Sequence, residues 1–190
     1  YERLSGSGST LTVYSQDDPS FPEVLGGAVD DTELEVSYRL AIETVPTLIR
    51  VEAGREVARV FGWHRQEWED FTGIPGLGDG LPDFQPGCGA RNVDPGMPET
   101  LAVRFGDTGL TSRQIALGAA EGPLEACFER GWSDGLPLVP PTAERVLRML
   151  TGTTRDPQEV IGKIPPNLAD CTVEKVAVNA VMAGCKPEYL

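Results

Sequence analysis

The chain has 190 residues and a formal net charge of −13, and 40% of its residues are hydrophobic. This length allows one large domain or two small ones, and 22 glycines with 16 prolines predict long ordered loops. The negative charge argues against nucleic acid and anionic membrane surfaces as partners. No apolar run approaches the roughly 18 residues of a membrane span, so we expect no membrane partner and a cytoplasmic protein. Because the chain starts at Tyr1, a removed N-terminal leader is the alternative.

The chain has four widely spaced cysteines, and no two of them form a CxxC pair: Cys88, Cys127, Cys171 and Cys185. Their spacing matches neither a zinc ribbon nor a dense disulfide framework, so free thiols are expected. GxGxxG, Walker and HExxH motifs are also absent from the sequence. The single histidine, His64, stands at the start of a predicted helix, which favours capping or exposure over catalysis.

The first third of the chain is organised around Pro46. Proline lacks an amide donor and is best placed at the first residue of a strand, and an apolar run follows it directly. Alternation and glycine turns then predict an antiparallel hairpin. In chain order, the predicted elements are a β-type run at 10–15, a helix at 31–40, a strand after Pro46, a turn at 52–55, a strand at 56–61 and a helix at 64–71.

Residues 1–72 resemble the thioredoxin-like family. Residues 1–4 (Tyr-Glu-Arg-Leu) are similar to the end of its first helix, residues 31–49 to its helix, connection and cis-proline strand, and Gly62 to the glycine before its last helix. The resemblance implies an incomplete thioredoxin-like sheet with flanking helices, a cis peptide before Pro46, and a substrate-facing Pro46. The family's first strand and CxxC would precede Tyr1, so the resemblance assigns no redox activity to these residues.

The remaining sequence predicts a Gly/Pro-rich linker at 73–109 and a mostly helical, Gly/Pro-rich second module at 110–190, which gives an α/β (α+β) fold class overall. The chain stops without a terminating signal, so we expect further sequence beyond Leu190. Within these segments the predicted elements are a short strand at 101–105, helices at 111–120, 123–130 and 142–150, a strand at 159–164 and a last helix at 170–184.

The last predicted helix contains the main candidate site. Asp170 is a suitable N-cap, which would place Cys171 in the first turn, where amide groups and the helix dipole favour a thiolate. Lys175 and Asn179 follow at i+4 and i+8 on the same face. A different face of this helix carries an apolar stripe at helical spacing, which we interpret as core: Val173, Val176, Ala177, Ala180 and Val181. We interpret this face as a nucleophilic or metal-binding constellation. The alternative is a partly buried cysteine beside a solvated lysine.

Three further residues outside that helix are candidates for a site. Cys88 lies between two glycines that leave its sulfur approachable, and Arg91 is placed to stabilise a thiolate or bind a substrate. A loop cysteine without function is the alternative. Asp134 is either a general acid/base or an Asx-turn residue. Cys127 shares a predicted helix face with apolar residues and is interpreted as a core cysteine.

Residues 123–190 resemble a poorly characterised bacterial cysteine-containing module that is found fused to thioredoxin-like domains. The module is related to selenoprotein-associated and organometal-lyase-like families. The similarity lies in residues 131–142 (Gly-Trp-Ser-Asp-Gly-Leu-Pro-Leu-Val-Pro-Pro-Thr) and residues 171–190 (Cys-Thr-Val-Glu-Lys-Val-Ala-Val-Asn-Ala-Val-Met-Ala-Gly-Cys-Lys-Pro-Glu-Tyr-Leu).

Together these patterns predict a thiol-dependent enzyme of redox, thiol-transfer or lyase type that acts on a small-molecule or thiol substrate, with Cys88 or Cys171 as nucleophile. A first alternative is organomercurial-lyase-like cleavage, in which two thiolates, Cys185 among the candidates, bind a soft metal ion and Asp134 or Asp170 protonates the departing carbon. A second alternative is a redox-inactive thioredoxin-like scaffold that binds a partner protein or forms a homo-oligomer. No cofactor is required by the sequence.

Overall fold

The computed structural model of the protein describes residues 10–18, 20 and 27–190. The predicted helix end at residues 1–4 lies outside this part of the chain. The architecture is mixed α/β, with small separate sheets, and the chain divides into two compact units, Tyr1–Leu101 and Ala102–Leu190. Among the described residues, no helix combines the length and apolar character needed to cross a membrane.

The described strands of the first unit form two-stranded sheets that do not join into one thioredoxin-like sheet. β1 pairs with β2 in parallel, whereas β3–β8, β4–β5 and β6–β7 are antiparallel. The elements are β1 (Tyr14–Ser15), β2 (Val29–Asp30), α1 (Glu35–Arg39), β3 (Thr44–Val45), β4 (Thr47–Glu52), β5 (Arg55–Phe61), β6 (Trp63–His64), α2 (Arg65–Thr72), β7 (Phe84–Gln85) and β8 (Cys88–Gly89), followed by a 3-10 turn (Arg91–Val93) and α3 (Met97–Phe105), which crosses the unit boundary.

The predicted hairpin is confirmed as β4 and β5, and the peptide before Pro46 is cis, as expected. Ala53 and Gly54 connect the strands with φ values of 50° and 76°, the two positive values that a type I′ turn requires. The predicted helix that follows is confirmed as α2. His64 caps it by accepting a hydrogen bond from the backbone N–H of Glu67 at Nδ1, at 3.4 Å.

Three predicted elements of this region differ from the structure. The β-type run predicted at 10–15 is a strand only at Tyr14–Ser15. The helix predicted at 31–40 begins only at Glu35, because the buried carboxylate of Asp31 accepts hydrogen bonds from the backbone N–H groups of Val36 and Ser37, both at 2.9 Å. The strand predicted at 101–105 is wrong, since these residues are the C-terminal part of α3. Proline in the first turn of α3 is compatible with a helix start, and Leu101 is its buried contact residue.

The second unit is built on two packed helices, α5 and α6. Val146 and Met149 of α5 pack with Ala177 and Val181 of α6 in a buried cluster, which confirms the apolar stripe predicted on the last helix. The elements of this unit after α3 are α4 (Pro123–Glu129), α5 (Ala143–Leu150), β9 (Val160–Ile164), β10 (Ala169–Thr172), α6 (Val173–Met182) and a 3-10 turn (Pro187–Tyr189).

The helix predicted at 111–120 is wrong, because the chain from 110 to 117 is irregular. The backbone N–H groups of Thr111 and Ser112 donate to the carboxylate of Glu174. The last helix also starts later than predicted. Asp170 lies in β10, where it pairs with Lys163 of β9, and Thr172 is the residue that caps α6.

Candidate functional site

The second unit contains a cavity of about 730 Å³, a volume typical of small-molecule pockets. Four segments of this unit form its wall: the irregular chain at 110–117, the region of α4, the start of α5 and one face of α6. The lining residues are Leu110, Ser112, Arg113, Gln114, Ile115, Leu117, Pro123, Ala126, Cys127, Arg130, Trp132, Pro140, Pro141, Thr142, Ala143, Val146, Glu174, Val178, Asn179 and Met182.

Helix α6 contributes to both the cavity wall and the core. Glu174, Val178 and Met182 line the cavity at i, i+4 and i+8, the spacing of residues on one helical face. Ala177 and Val181 belong to the buried cluster with α5. One side of the helix therefore anchors the unit, and the adjacent side is available to a ligand.

A buried carboxylate fixes the irregular segment against α6. Glu174 is 1% exposed, and its Oε1 accepts the backbone N–H of Ser112 at 2.8 Å. Its Oε2 accepts the N–H of Thr111 at 3.0 Å, the hydroxyl of Thr111 at 3.2 Å and the side-chain amide of Gln158 at 2.7 Å. Burial raises the pKa of Glu174, but the hydrogen bonds outweigh burial and lower this pKa to about 2. The carboxylate is therefore ionised at neutral pH and occupied by protein donors.

Two arginines of the cavity wall differ in their partners. The guanidinium of Arg130 donates to Glu121 Oε1 at 2.7 Å and to the carbonyl of Ala126 at 3.0 Å. The hydrogen bond from Arg130 lowers the pKa of Glu121 and keeps the pair charged. Arg113 is exposed and makes no hydrogen bond or ion pair with any residue of the part of the chain described. Its charge is available to a ligand.

Cys127 is both a core residue and a wall residue. It lies on α4 and is 3% exposed, which agrees with the predicted core position, but it also lines the cavity. The other cysteines, Cys88, Cys171 and Cys185, are absent from the cavity wall. Cys127 therefore combines a buried position with a place among the residues of the cavity wall.

Asp134 lies at a neighbouring, more open cavity of about 550 Å³. It is exposed, and its carboxylate accepts the backbone N–H of Leu136 at 3.4 Å, the hydrogen bond of an Asx turn. The two cavities share Trp132, Asn179 and Met182 as wall residues. Asn179 is thus a predicted site residue that the structure places on the wall of both cavities.

The predicted Cys171 constellation takes a different form. Cys171 is in β10, opposite Gly162, so the first turn of a helix does not surround its sulfur. The ammonium of Lys175 donates to the carbonyl of Asp170 at 2.8 Å, and the amide of Asn179 donates to the carbonyl of Lys175 at 2.8 Å. Cys171 therefore precedes the capping residue Thr172 and lies outside the first turn of α6, contrary to the prediction.

The first unit contains the other predicted residues. Cys88 is exposed in β8 and stands opposite Val45, the residue before Pro46. Arg91 binds elsewhere, since its guanidinium donates to the carbonyl of Gln16 and, at 3.3 Å, to the carboxylate of Asp17. The structure therefore places Cys88 near Pro46 and gives Arg91 partners that do not include the thiol.

Cys185 is exposed and follows α6 directly after Gly184. The soft-metal alternative requires two thiolates and a carboxyl group close together. Within residues 10–18, 20 and 27–190, no group of three or more His, Cys, Asp or Glu side chains is arranged to hold a metal ion. The arrangement that this alternative requires is not found in that part of the chain.

The sequence did not predict three residues of the cavity wall: Glu174, Arg113 and Arg130. Glu174 had a detectable signal, because it is a charged residue one position away from the apolar stripe of a predicted helix. The two arginines had none, since the residues near them in the sequence indicate neither a cavity nor a ligand.

In comparisons with family models, with curated proteins and with solved structures, the chain had no match.

Proposed function

We propose that the protein is a thiol-dependent enzyme that binds a small, largely apolar substrate in the cavity of Ala102–Leu190, with Cys127 as the reacting thiol. The observation that carries this proposal is the position of Cys127, a 3% exposed thiol on the wall of a cavity of about 730 Å³. This proposal moves the nucleophile from Cys88 or Cys171 to Cys127 and retains Asn179 as a polar wall residue.

The simplest reaction that fits is thiol–disulfide exchange. The thiolate of Cys127 would attack one sulfur of a small disulfide, form a mixed disulfide with that half, and release the other half as a thiolate. Apolar walls would select the substrate by shape, and a few polar groups such as Ser112 and Asn179 would orient it.

A second candidate site, at Cys88, is suited to a larger substrate. Cys88 is exposed, is paired in register with Val45, and is flanked by Gly87 and Gly89. This accessible thiol is suited to exchange with a disulfide on another protein. The pairing of Cys88 with the residue before Pro46 supports this candidate. The resemblance of residues 1–72 to the thioredoxin-like family stays a prediction, as does the cytoplasmic location.

The test uses 2-hydroxyethyl disulfide and peptide mapping by mass spectrometry on the reduced, folded protein. We expect the rate of adduct formation at Cys127 to saturate with disulfide concentration, because binding in the cavity precedes reaction. The exposed Cys185 serves as an internal control and should react at a rate that rises linearly. In Cys127→Ser, the saturable adduct should disappear while the reaction at Cys185 is unchanged.

The possible outcomes separate the candidates. If Cys127 stays unmodified in the folded protein and reacts only in urea, the proposal is overturned. Saturable reaction at Cys88 alone would favour the second candidate. The absence of saturable reaction at every cysteine would favour a scaffold that binds a partner without thiol chemistry.

A further inference from the structure

We infer that the cavity selects ligands that carry an anionic group, such as a carboxylate or sulfonate, on an apolar body, and that the guanidinium of Arg113 binds this group. This inference rests on the proposed function only in that it concerns the same cavity. It specifies the chemical class of the ligand and does not depend on the reaction of Cys127.

The charged wall residues other than Arg113 are already occupied. Arg130 is held by Glu121 at 2.7 Å, and the two carboxylate oxygens of Glu174 accept five hydrogen bonds from Thr111, Ser112 and Gln158 that lie between 2.7 and 3.2 Å. Glu174 is therefore unsuited to bind a cationic ligand group. Arg113 lines the same cavity without a partner among the described residues.

The rest of the wall fits an apolar body. Leu110, Ile115 and Leu117 come from the segment that carries Arg113, and Val178 and Met182 face it from the helix wall of the cavity. A planar guanidinium donates two parallel hydrogen bonds to a carboxylate or sulfonate. A neutral polar group accepts hydrogen bonds from a guanidinium less strongly. The chain has a net charge of −13, so long-range attraction of anions is excluded and selectivity must come from this local contact.

The test compares two fluorescent probes with the same aromatic body. 8-Anilinonaphthalene-1-sulfonate carries a sulfonate, and N-phenyl-1-naphthylamine is its uncharged counterpart. In Arg113→Gln, we expect the dissociation constant of the sulfonate probe to rise about fivefold. This is the effect of losing one charge-assisted contact, and it is modest because solvent weakens the contact of an exposed arginine. The constant of the neutral probe should stay unchanged. Arg155→Gln is the matched control, because Arg155 belongs to the same unit, pairs with Glu159 and does not line the cavity.

A second variant, Val178→Trp, identifies the place of binding by filling the cavity from the α6 wall, with circular dichroism to verify the fold. Weaker binding of both probes in this variant, together with an effect of Arg113→Gln on the sulfonate alone, supports the inference. If Val178→Trp weakens both probes but Arg113→Gln changes neither, the anion inference is overturned and the proposed small-molecule cavity stands. If Val178→Trp has no effect on either probe, the probes bind outside this cavity and the inference is overturned, while the disulfide experiment decides separately on the reaction of Cys127.

Discussion

Glu174 is a buried carboxylate that is held by neutral donors, without a cation among the partners described for it. Backbone amides, a hydroxyl and a side-chain amide meet its two oxygens, and hydrogen bonds of this kind favour the ionised form. The pKa of Glu174 is therefore lower in the folded chain, about 2, than its ordinary value of 4.5. Its stabilisation of the fold is fully present above pH 4.5 and is lost as the pH falls toward 2.

We predict that Glu174→Gln destabilises the protein by about 3 kcal/mol at neutral pH, the free energy that corresponds to this pKa difference. Glutamine keeps one acceptor oxygen but presents an N–H₂ group to the donors of Thr111 and Ser112. Urea denaturation measures the loss, and faster hydrogen exchange at the amides of Thr111 and Ser112 localises it. The difference between wild type and variant should shrink below pH 4.5.

Glu159→Gln is the control for this prediction, because Glu159 is exposed and pairs with Arg155 at the surface. Such a pair contributes at most about 1 kcal/mol. Equal losses in the two variants, or unchanged exchange at Thr111 and Ser112 in Glu174→Gln, would show that the Glu174 hydrogen bonds do not fix the segment.

The role of a single residue can be predicted from the sequence where it depends on residues close to it in the chain. Ala177 and Val181 were predicted as core from helical spacing, and both are buried. The role of Glu174 depends on donors far from it in the chain, at 111, 112 and 158, so no local pattern contains it. The burial of Cys127 was predictable from its apolar helix face, but its place on a cavity wall was not.

Helices and strands were predicted correctly where the turn or cap residues that delimit them are next to them in the sequence. The β4–β5 hairpin and helices α2, α4 and α5 have their own start and stop residues and lie where they were expected. The start of α6 was misplaced because Asp170 is also a good cap residue, and pairing with Lys163 in the neighbouring strand decides its conformation. A helix was predicted at 111–120, but the chain from 110 to 117 is irregular. The contact that holds it, between the backbone N–H groups of Thr111 and Ser112 and the distant Glu174, leaves no local pattern in the sequence.

Gly62 couples two of the small sheets of the first unit. Its φ is +62°, and a Cβ at this position would lie 2.8 Å from the backbone nitrogen of Gly87. We predict that Gly62→Ala lowers the free energy of unfolding by about 3 kcal/mol, because a left-handed backbone and a clash with main chain add together. Tryptophan fluorescence follows the transition, since the indole of Trp68 donates to the carbonyl of Gly62 at 2.9 Å.

Gly54→Ala is the matched control, because Gly54 also has a positive φ, +76°, but nothing lies within 4 Å of a Cβ built there. This change should cost about 1 kcal/mol from backbone conformation alone. Similar losses in the two variants would mean that the close approach between Gly62 and Gly87 has no energetic consequence.

At the scale of the whole molecule, the mixed α/β class followed from the sequence, whereas the cavity did not. Its wall combines four segments that are not contiguous in the sequence, and only their packing creates a concave surface. The candidate thiols are distributed over both units, with Cys88 in the first and Cys127, Cys171 and Cys185 in the second. We propose that the thiol of Cys127 and the cavity wall form one reactive site.

Protection of Cys127 by a cavity ligand tests this claim most directly. Iodoacetamide labelling of the folded, reduced protein, followed by peptide mass spectrometry, gives the rate at each cysteine with and without saturating 8-anilinonaphthalene-1-sulfonate. We expect the probe to slow labelling of Cys127 and to leave the rate at the exposed Cys185 unchanged. Equal rates at Cys127 with and without bound probe would contradict the proposal that Cys127 belongs to the cavity.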